Sequence, residues 1–195
     1  AYTNTKLKAT VAASDDDAAD SLTYTYTWYS GSTKLAATGA ELDGATWFEK
    51  GESISVSVVA NDGVEDSAQF TSGSVTISNT IPNVSGVSIT PDPAYAKTTL
   101  TCAWTTFTDA DATDTDQSTV EWSKGGTSMG TGTTLTGGFV DGDVLTCTVT
   151  PYDGEDTGTP VDVTIEIDNT APELDSVTLS PGSPTEGSTL NCTPG

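Results

Sequence analysis

The sequence predicts an all-β protein made of tandem β-sandwiches, and three observations carry that prediction. Short runs alternate apolar and polar residues along the chain, the period of half-buried strands rather than of helices. Turn signals such as Gly125-Gly126, Gly137-Gly138 and Asp153-Gly154 separate those runs, as they do in sandwich proteins. The third observation is a repeat of about ninety residues. Val87-Ser88-Ile89-Thr90-Pro91 returns as Val177-Thr178-Leu179-Ser180-Pro181, and Leu100-Thr101-Cys102 as Leu190-Asn191-Cys192. Asn79-Thr80-Ile81-Pro82 likewise returns as Asn169-Thr170-Ala171-Pro172. Self-similarity at a fixed spacing marks one structural unit used more than once.

The frame of the repeat divides the chain. Residues 1–80 form a repeat that lacks its first strand, 81–170 form a complete one, and 171–195 open a third. The chain reads as a window from a longer array. In the first repeat Tyr24, Tyr26 and Trp28 share one face of a strand, and Trp28 matches Trp122. Tyr29, with Trp47 beside Phe48, is left as a candidate exposed patch for a glycan or a neighbouring subunit. Phe48-Glu49-Lys50-Gly51 matches Phe139-Val140-Asp141-Gly142, and Asn61-Asp62-Gly63 matches Tyr152-Asp153-Gly154. The second repeat opens with a strand over Val84–Thr90. Leu100, Cys102 and Trp104 then share a face, as do Val120 and Trp122. Leu145, Cys147 and Val149 point one way while Thr146, Thr148 and Thr150 point the other. Val161, Val163, Ile165 and Ile167 close the repeat against Asp162, Thr164 and Glu166. About seven strands in ninety residues is an immunoglobulin-like count.

The cysteines fit this parity. Cys102 and Cys147 face inward from the second and sixth strand positions, with Trp122 between them in sequence. An inter-sheet disulfide packed on a tryptophan is the immunoglobulin arrangement; two buried free thiols are the alternative. Cys192 matches Cys102 but has no sixth-strand partner in the chain, and the first repeat carries Ala9 and Val56 at the two positions. A bridged pair places the protein outside the cytoplasm, extracellular or on a cell surface.

Charge narrows the function. The net charge of −22 comes from 28 acidic and 6 basic residues. Such a surface repels phosphate backbones and anionic lipid, so nucleic acid is excluded as a partner. Cation binding, a saline habitat and plain solubility remain as explanations. No apolar run is long enough to insert into a membrane. The absence of histidine removes the usual general base and most zinc sites. Together with loop-tip carboxylates lacking an aromatic cleft, that argues against an enzyme.

Acidic residues concentrate in two loops. Asp109, Asp111, Asp114 and Asp116 lie within eight residues, and Asp15, Asp16, Asp17 and Asp20 form a looser version one repeat earlier. In an immunoglobulin-like sandwich the loop after the second strand, the loop after the sixth and the incoming linker share one end. Asp109, Asp111, Asp114, Asp116, Asp153, Asp156 and Asn79 therefore form a candidate site at the junction of the repeats. Asp15, Asp17, Asp20, Asp62 and Asp66 form a second candidate without a linker. Calcium takes six to eight oxygen ligands of these kinds, which makes it the candidate cofactor. The loop is not an EF-hand, since Asp114 and Val120 occupy the sixth and twelfth positions from Asp109, where that pattern has Gly and Glu.

From the Val-Ser-Ile-Thr-Pro strand through the Asp-rich loop, Trp122, Asp153-Gly154 and Asp168-Asn169-Thr170-Ala171-Pro172, the chain resembles bacterial immunoglobulin-like or cadherin-like tandem repeats. The resemblance implies an extracellular stalk, filament or adhesin that is rigidified by calcium. It also implies neighbouring repeats or identical subunits as partners, and a surface glycan or protein as ligand. The linker Ser78-Asn79-Thr80-Ile81-Pro82 is less acidic than that of cadherins. Two further readings stay open. One is a filament protomer assembled by exchange of the C-terminal strand; the other is a carbohydrate-binding module with an exposed Trp or Tyr platform.

Overall fold

The protein's structure, a computed structural model, describes residues 1–17, 21–180 and 182–194. In the first repeat the elements are β1 (Lys6–Lys8), β2 (Thr23–Ser30), β3 (Thr33–Lys34), β4 (Glu41–Asp43), α1 (Gly44–Trp47), β5 (Ser53–Asn61), β6 (Phe70–Thr71) and β7 (Val75–Thr76). One sheet runs β3-β2-β5-β6, with β7 also on β5, and it faces the two-stranded β1-β4 sheet. Trp28, Leu42, Phe48, Ile54, Val56 and Ile77 are buried between them. Trp28 stands opposite Val56 in the β2–β5 register. Its indole N–H donates to Gly39 O at 2.8 Å, which satisfies the ring's one polar group inside the core.

The second repeat contains β8 (Asn83–Ser85), β9 (Ser88–Thr90), β10 (Ala94–Tyr95), β11 (Thr99–Ala103), β12 (Thr106–Thr108), β13 (Thr119–Lys124), β14 (Thr127–Thr131), β15 (Thr134–Thr136), β16 (Val144–Thr150) and β17 (Val161–Asp168). A five-stranded sheet, β10-β17-β16-β13-β14, packs on a three-stranded one, β15-β11-β9. This is an immunoglobulin-like sandwich. The Cys102–Cys147 disulfide joins β11 to β16, and Trp122 lies opposite Cys147 in the β13–β16 register. Its N–H donates to Gly132 O at 2.9 Å, as Trp28 does to Gly39. Leu100, Leu145, Cys147 and Val149 are wholly buried, so the alternation in these strands divides core from solvent.

Two details depart from the sequence reading. Val84–Thr90 is two strands rather than one: β8 pairs with β12 and β9 with β11, with Gly86-Val87 between. Gly86 holds φ +68°, and a Cβ there would collide with Thr105 Oγ1, so the chain can change partner only at a glycine. Tyr24, expected inside with Tyr26 and Trp28, is exposed, because β2 runs past the edge of the first core. Beyond the second repeat, β18 (Val177–Ser180) pairs with β19 (Asn191–Pro194) as a separate ribbon. Val177 and Leu179 are exposed on it, and Cys192 is a free, exposed thiol.

Candidate junction site

The β8–β12 ladder places the acidic loop beside the linker. Thr108, the last residue before the loop, pairs with Asn83, the first residue after the linker. Gln117, at the loop's far end, ties it to the turn after β16, with its N–H on Tyr152 O at 2.8 Å. The linker packs onto the same turn through Pro82, which is fully buried. Gly158 makes room for it, because a Cβ at 158 would collide with Pro82 O. Three segments distant in sequence thereby meet at the junction of the repeats.

Each acidic side chain there has a distinct task. Asp111 is 1% exposed and accepts from Thr3 Oγ1 of the first repeat and, at 2.6 Å, from Thr80 N of the linker. It therefore hydrogen-bonds across the junction in two places. Asp153 folds its own turn, accepting from Glu155 N at 2.6 Å and Asp156 N at 2.7 Å. Asn79 Nδ2 donates to Asp153 Oδ2 and Asp156 Oδ2, both at 2.9 Å. Burial pushes the Asp153 carboxyl up, but the hydrogen bonds from Asn79 and the two N–H groups, aided by the Lys50 charge, hold it below the usual range. Asp109 goes the other way. Burial raises its carboxyl, one backbone hydrogen bond from Asp111 opposes that, and the charges of Asp111, Asp114 and Asp153 raise it further.

Lys50 was not among the sequence candidates. It lies between α1 and β5 in the first repeat and reaches across the junction. Its ammonium is 2.8 Å from Asp114 Oδ2, 2.8 Å from Glu155 Oε1 and 3.0 Å from Asn79 Oδ1. The hydrogen bonds to Asp114 and then Glu155 hold its pKa well above the ordinary lysine value, against a smaller cost of burial. One signal in the sequence pointed to it: the second repeat has Asp141 where the first has Lys50. Lysine is scarce in this chain, and one of the few basic residues faces the next repeat's acid loop.

Asp109, Asp114 and Asp153 form, among the described residues, the one group of three acidic side chains whose oxygens lie within 4.8 Å of one another. Asp109 Oδ2 is buried and has no hydrogen-bond partner, and neither has Thr80 Oγ1. Oxygens bound to one calcium sit about 2.3–2.6 Å from the ion, so ligands on opposite sides stand about as far apart as this group allows. The donor set is all oxygen, the ligand type calcium takes, and it supplies three carboxylates, of which Asp114 is also paired with Lys50. Asp116 is not part of it: it accepts from Trp104 Nε1 at 2.8 Å and from Ser118 N at 2.9 Å. Burial pushes its carboxyl up, but the Ser118 and Trp104 hydrogen bonds outweigh that and lower it.

The second candidate is arranged differently. Asp62 closes its own turn, accepting from Val64 N and Glu65 N at 2.7 Å, and those bonds, Glu65's first, lower its pKa. Asp66 accepts from Asn61 Nδ2 at 2.8 Å, and Asp15 accepts from Asp17 N at 3.0 Å. Asp15, Asp62, Glu65 and Asp66 border a common depression, but each of these three aspartates is used by a local turn. Asp20 lies outside the described residues.

An Asp109→Asn substitution tests the strain at the junction. A raised carboxyl means that the folded state disfavours the charge, so near neutral pH this group subtracts stability, and the loss is relieved as pH falls through its raised value. In chelator at pH 7, D109N is expected to melt above the wild type, with the difference vanishing in acid. A lower melting temperature at pH 7 would show that Asp109 is satisfied without an ion.

The chain is similar to solved tandem β-domains. One is a segment of two fibronectin type III domains from chicken tenascin, 19% identical, with a TM-score of 0.43 over 83% of this chain and 90% of that one. Another comprises the three N-terminal domains of the highly immunogenic outer capsid protein of bacteriophage RB49. It is 19% identical, with a TM-score of 0.33 over 83% of this chain and 53% of that one. No family model matches the chain, and no curated protein does. Among the described residues no helix is long and apolar enough to cross a membrane.

Proposed function

We propose that this chain is a structural segment of an extracellular stalk, filament or adhesin, made of units at 1–80, 81–170 and 171–195 and stiffened at the junction of the first two. The observation that carries the reading is the set of bonds across that junction: Lys50 to Asp114 and Glu155, and Asp111 to Thr3. A flexible hinge would leave these groups in water, where exposed pairs contribute little. Here Asp114 is only 7% exposed at its side chain and Asp111 is buried. The disulfide and the sandwich fold suit an oxidising exterior. Neighbouring repeats are then the first partners, and a surface glycan or protein would be bound elsewhere in the array.

Calcium is the proposed ligand of the junction, held by Asp109, Asp114 and Asp153, with Asn79 and Asp156 close by. It would supply charge neutralisation and fixed geometry. Six carboxylates (109, 111, 114, 153, 155 and 156) crowd around one ammonium, so a divalent cation reduces the negative charge without reversing it. With the affinity usual for extracellular calcium modules, 10 mM calcium stabilises the folded chain by about 1.5–3 kcal/mol. The expected result is a rise in melting temperature that chelator reverses and that D109N and Asp153→Asn abolish. Small-angle scattering should show the same maximum dimension with narrower bending in calcium. No thermal shift at 10 mM calcium would mean that Lys50 and the hydrogen bonds hold the junction alone.

For the carbohydrate reading, Trp28 and Trp122 are buried and Trp47, Trp104 and Tyr29 partly so, which leaves Tyr2, Tyr24 and Tyr95 as the exposed aromatic rings of these two types.

A further inference from the structure

The turn that carries Lys50 is built twice in this chain. Gly51 N donates to Ile77 O at 2.8 Å, and Gly142 N donates to Ile167 O at 2.8 Å. Ile77 N then donates to Glu52 O and Ile167 N to Asp143 O, both at 2.9 Å. Gly51 and Gly142 hold φ +82° and +78°, so the two turns share one backbone. Where the first repeat has Lys50, the second has Asp141, which is exposed. The turn therefore makes no demand on that side chain, and what fixes Lys50 lies outside it. An ammonium has only N–H donors and no acceptor. Here it meets oxygens from three separate segments, on Asp114, Glu155 and Asn79.

We propose that Lys50 is a tethered cation that closes the junction when calcium is absent, and that calcium binds there by displacing it. The inference rests on the calcium reading above and assigns the residue that sets the affinity. Asp114 belongs to both arrangements: it pairs with Lys50 at 2.6 Å and is one of the three carboxylates whose oxygens converge. Asn79 is divided in the same way, with Oδ1 on Lys50 and Nδ2 on Asp153. An ion among Asp109, Asp114 and Asp153 would therefore stand beside the ammonium, and two positive charges so close repel in a partly buried site. Ligand supply points the same way. Calcium takes about six to eight oxygens, and Asp109 and Asp153 each already commit one oxygen to backbone N–H groups. Displacement of the ammonium releases Asp114, Glu155 and Asn79 Oδ1, the oxygens that make up the shortfall. The ammonium also serves the junction incompletely, since Asp109 Oδ2 stays buried without a partner. Charge holds the junction in either state, supplied by the chain in one and by the ion in the other.

The test is titration calorimetry of the intact chain with calcium chloride at constant ionic strength, alongside its melting temperature. Lys50→Met is expected to melt below the wild type in chelator, because the carboxylates lose their one cation. In calcium it should bind the ion about tenfold or more tightly, and the gap in melting temperature should close. Lys50→Arg keeps the charge and should keep the wild-type affinity. Lys124→Met controls for net charge: Lys124 pairs with Asp143 at the other end of β13 from the acid loop, and its loss should leave calcium binding unchanged. Displacement is read directly on the wild type by brief labelling with an amine-reactive ester and peptide mass analysis. Lys50 should label slowly in chelator and faster in calcium, measured against the exposed Lys97. Equal or weaker calcium binding by K50M, or labelling of Lys50 that calcium does not raise, overturns the proposal and leaves calcium at the junction. No calcium binding by either the wild type or K50M overturns the junction reading itself, and this inference with it.

Discussion

Reduction of the Cys102–Cys147 bridge is expected to lower the stability of the second repeat by about 4 kcal/mol, since the bridge closes a loop 45 residues long. The unfolded chain then gains the freedom that the bridge denied it. Cys102→Ala with Cys147→Ala should lose at least as much, because the smaller side chains also leave a cavity in the core. For a unit of this size that corresponds to a fall of roughly 20 °C in melting temperature. The first repeat provides an internal control, because it carries Ala9 and Val56 at those positions and has no bridge to lose. Calorimetry of the reduced chain should therefore show the second-repeat transition moving down while that of the first stays in place. A shift under 1 kcal/mol would mean that the β11–β16 core holds the sandwich without the covalent link.

The second large effect is expected at Asp111. Its carboxylate accepts from Thr3 Oγ1 and Thr80 N, and both Asp111 and Thr3 are almost wholly buried. Asp111→Ala leaves the buried Thr3 hydroxyl and the half-buried Thr80 amide without their acceptor, a loss of about 3 kcal/mol. Asp111→Asn keeps one acceptor oxygen and should recover about half. The loss falls on the junction as well as on the second repeat. Hydrogen exchange at the Thr80 amide should accelerate, and scattering should report wider bending between the repeats. If D111A melts within 0.5 kcal/mol of the wild type, the junction contributes no stiffness and the stalk reading fails at its main support.

These experiments probe two sites that differed in how visible they were from the sequence. The sandwich cores were legible because a strand's side chains alternate strictly. Once Leu145 is inside, Cys147 and Val149 must be inside and Thr146 and Thr148 must not. The same parity turned Cys102 and Cys147 both toward the core. Tyr24 shows the limit of that rule, since parity assigns a face and says nothing about where the core ends. The acidic loop was harder, because a loop has no period. Asp109, Asp114 and Asp116 lie in one short stretch, yet Asp116 turns to Trp104 and Ser118 while the other two turn toward the turn at 153.

By itself, then, the sequence determined the β class, the repeat and the inward facing of Cys102 and Cys147, all of which follow from local alternation and self-similarity. The tertiary structure alone decided what meets the acid loop. Lys50 lies 64 residues before Asp114 and 105 before Glu155, and its mismatch with Asp141 in the repeat marks it out without naming either partner. It reaches them because the linker at Pro82 seats against Gly158 and brings the end of one sandwich onto the loops of the next.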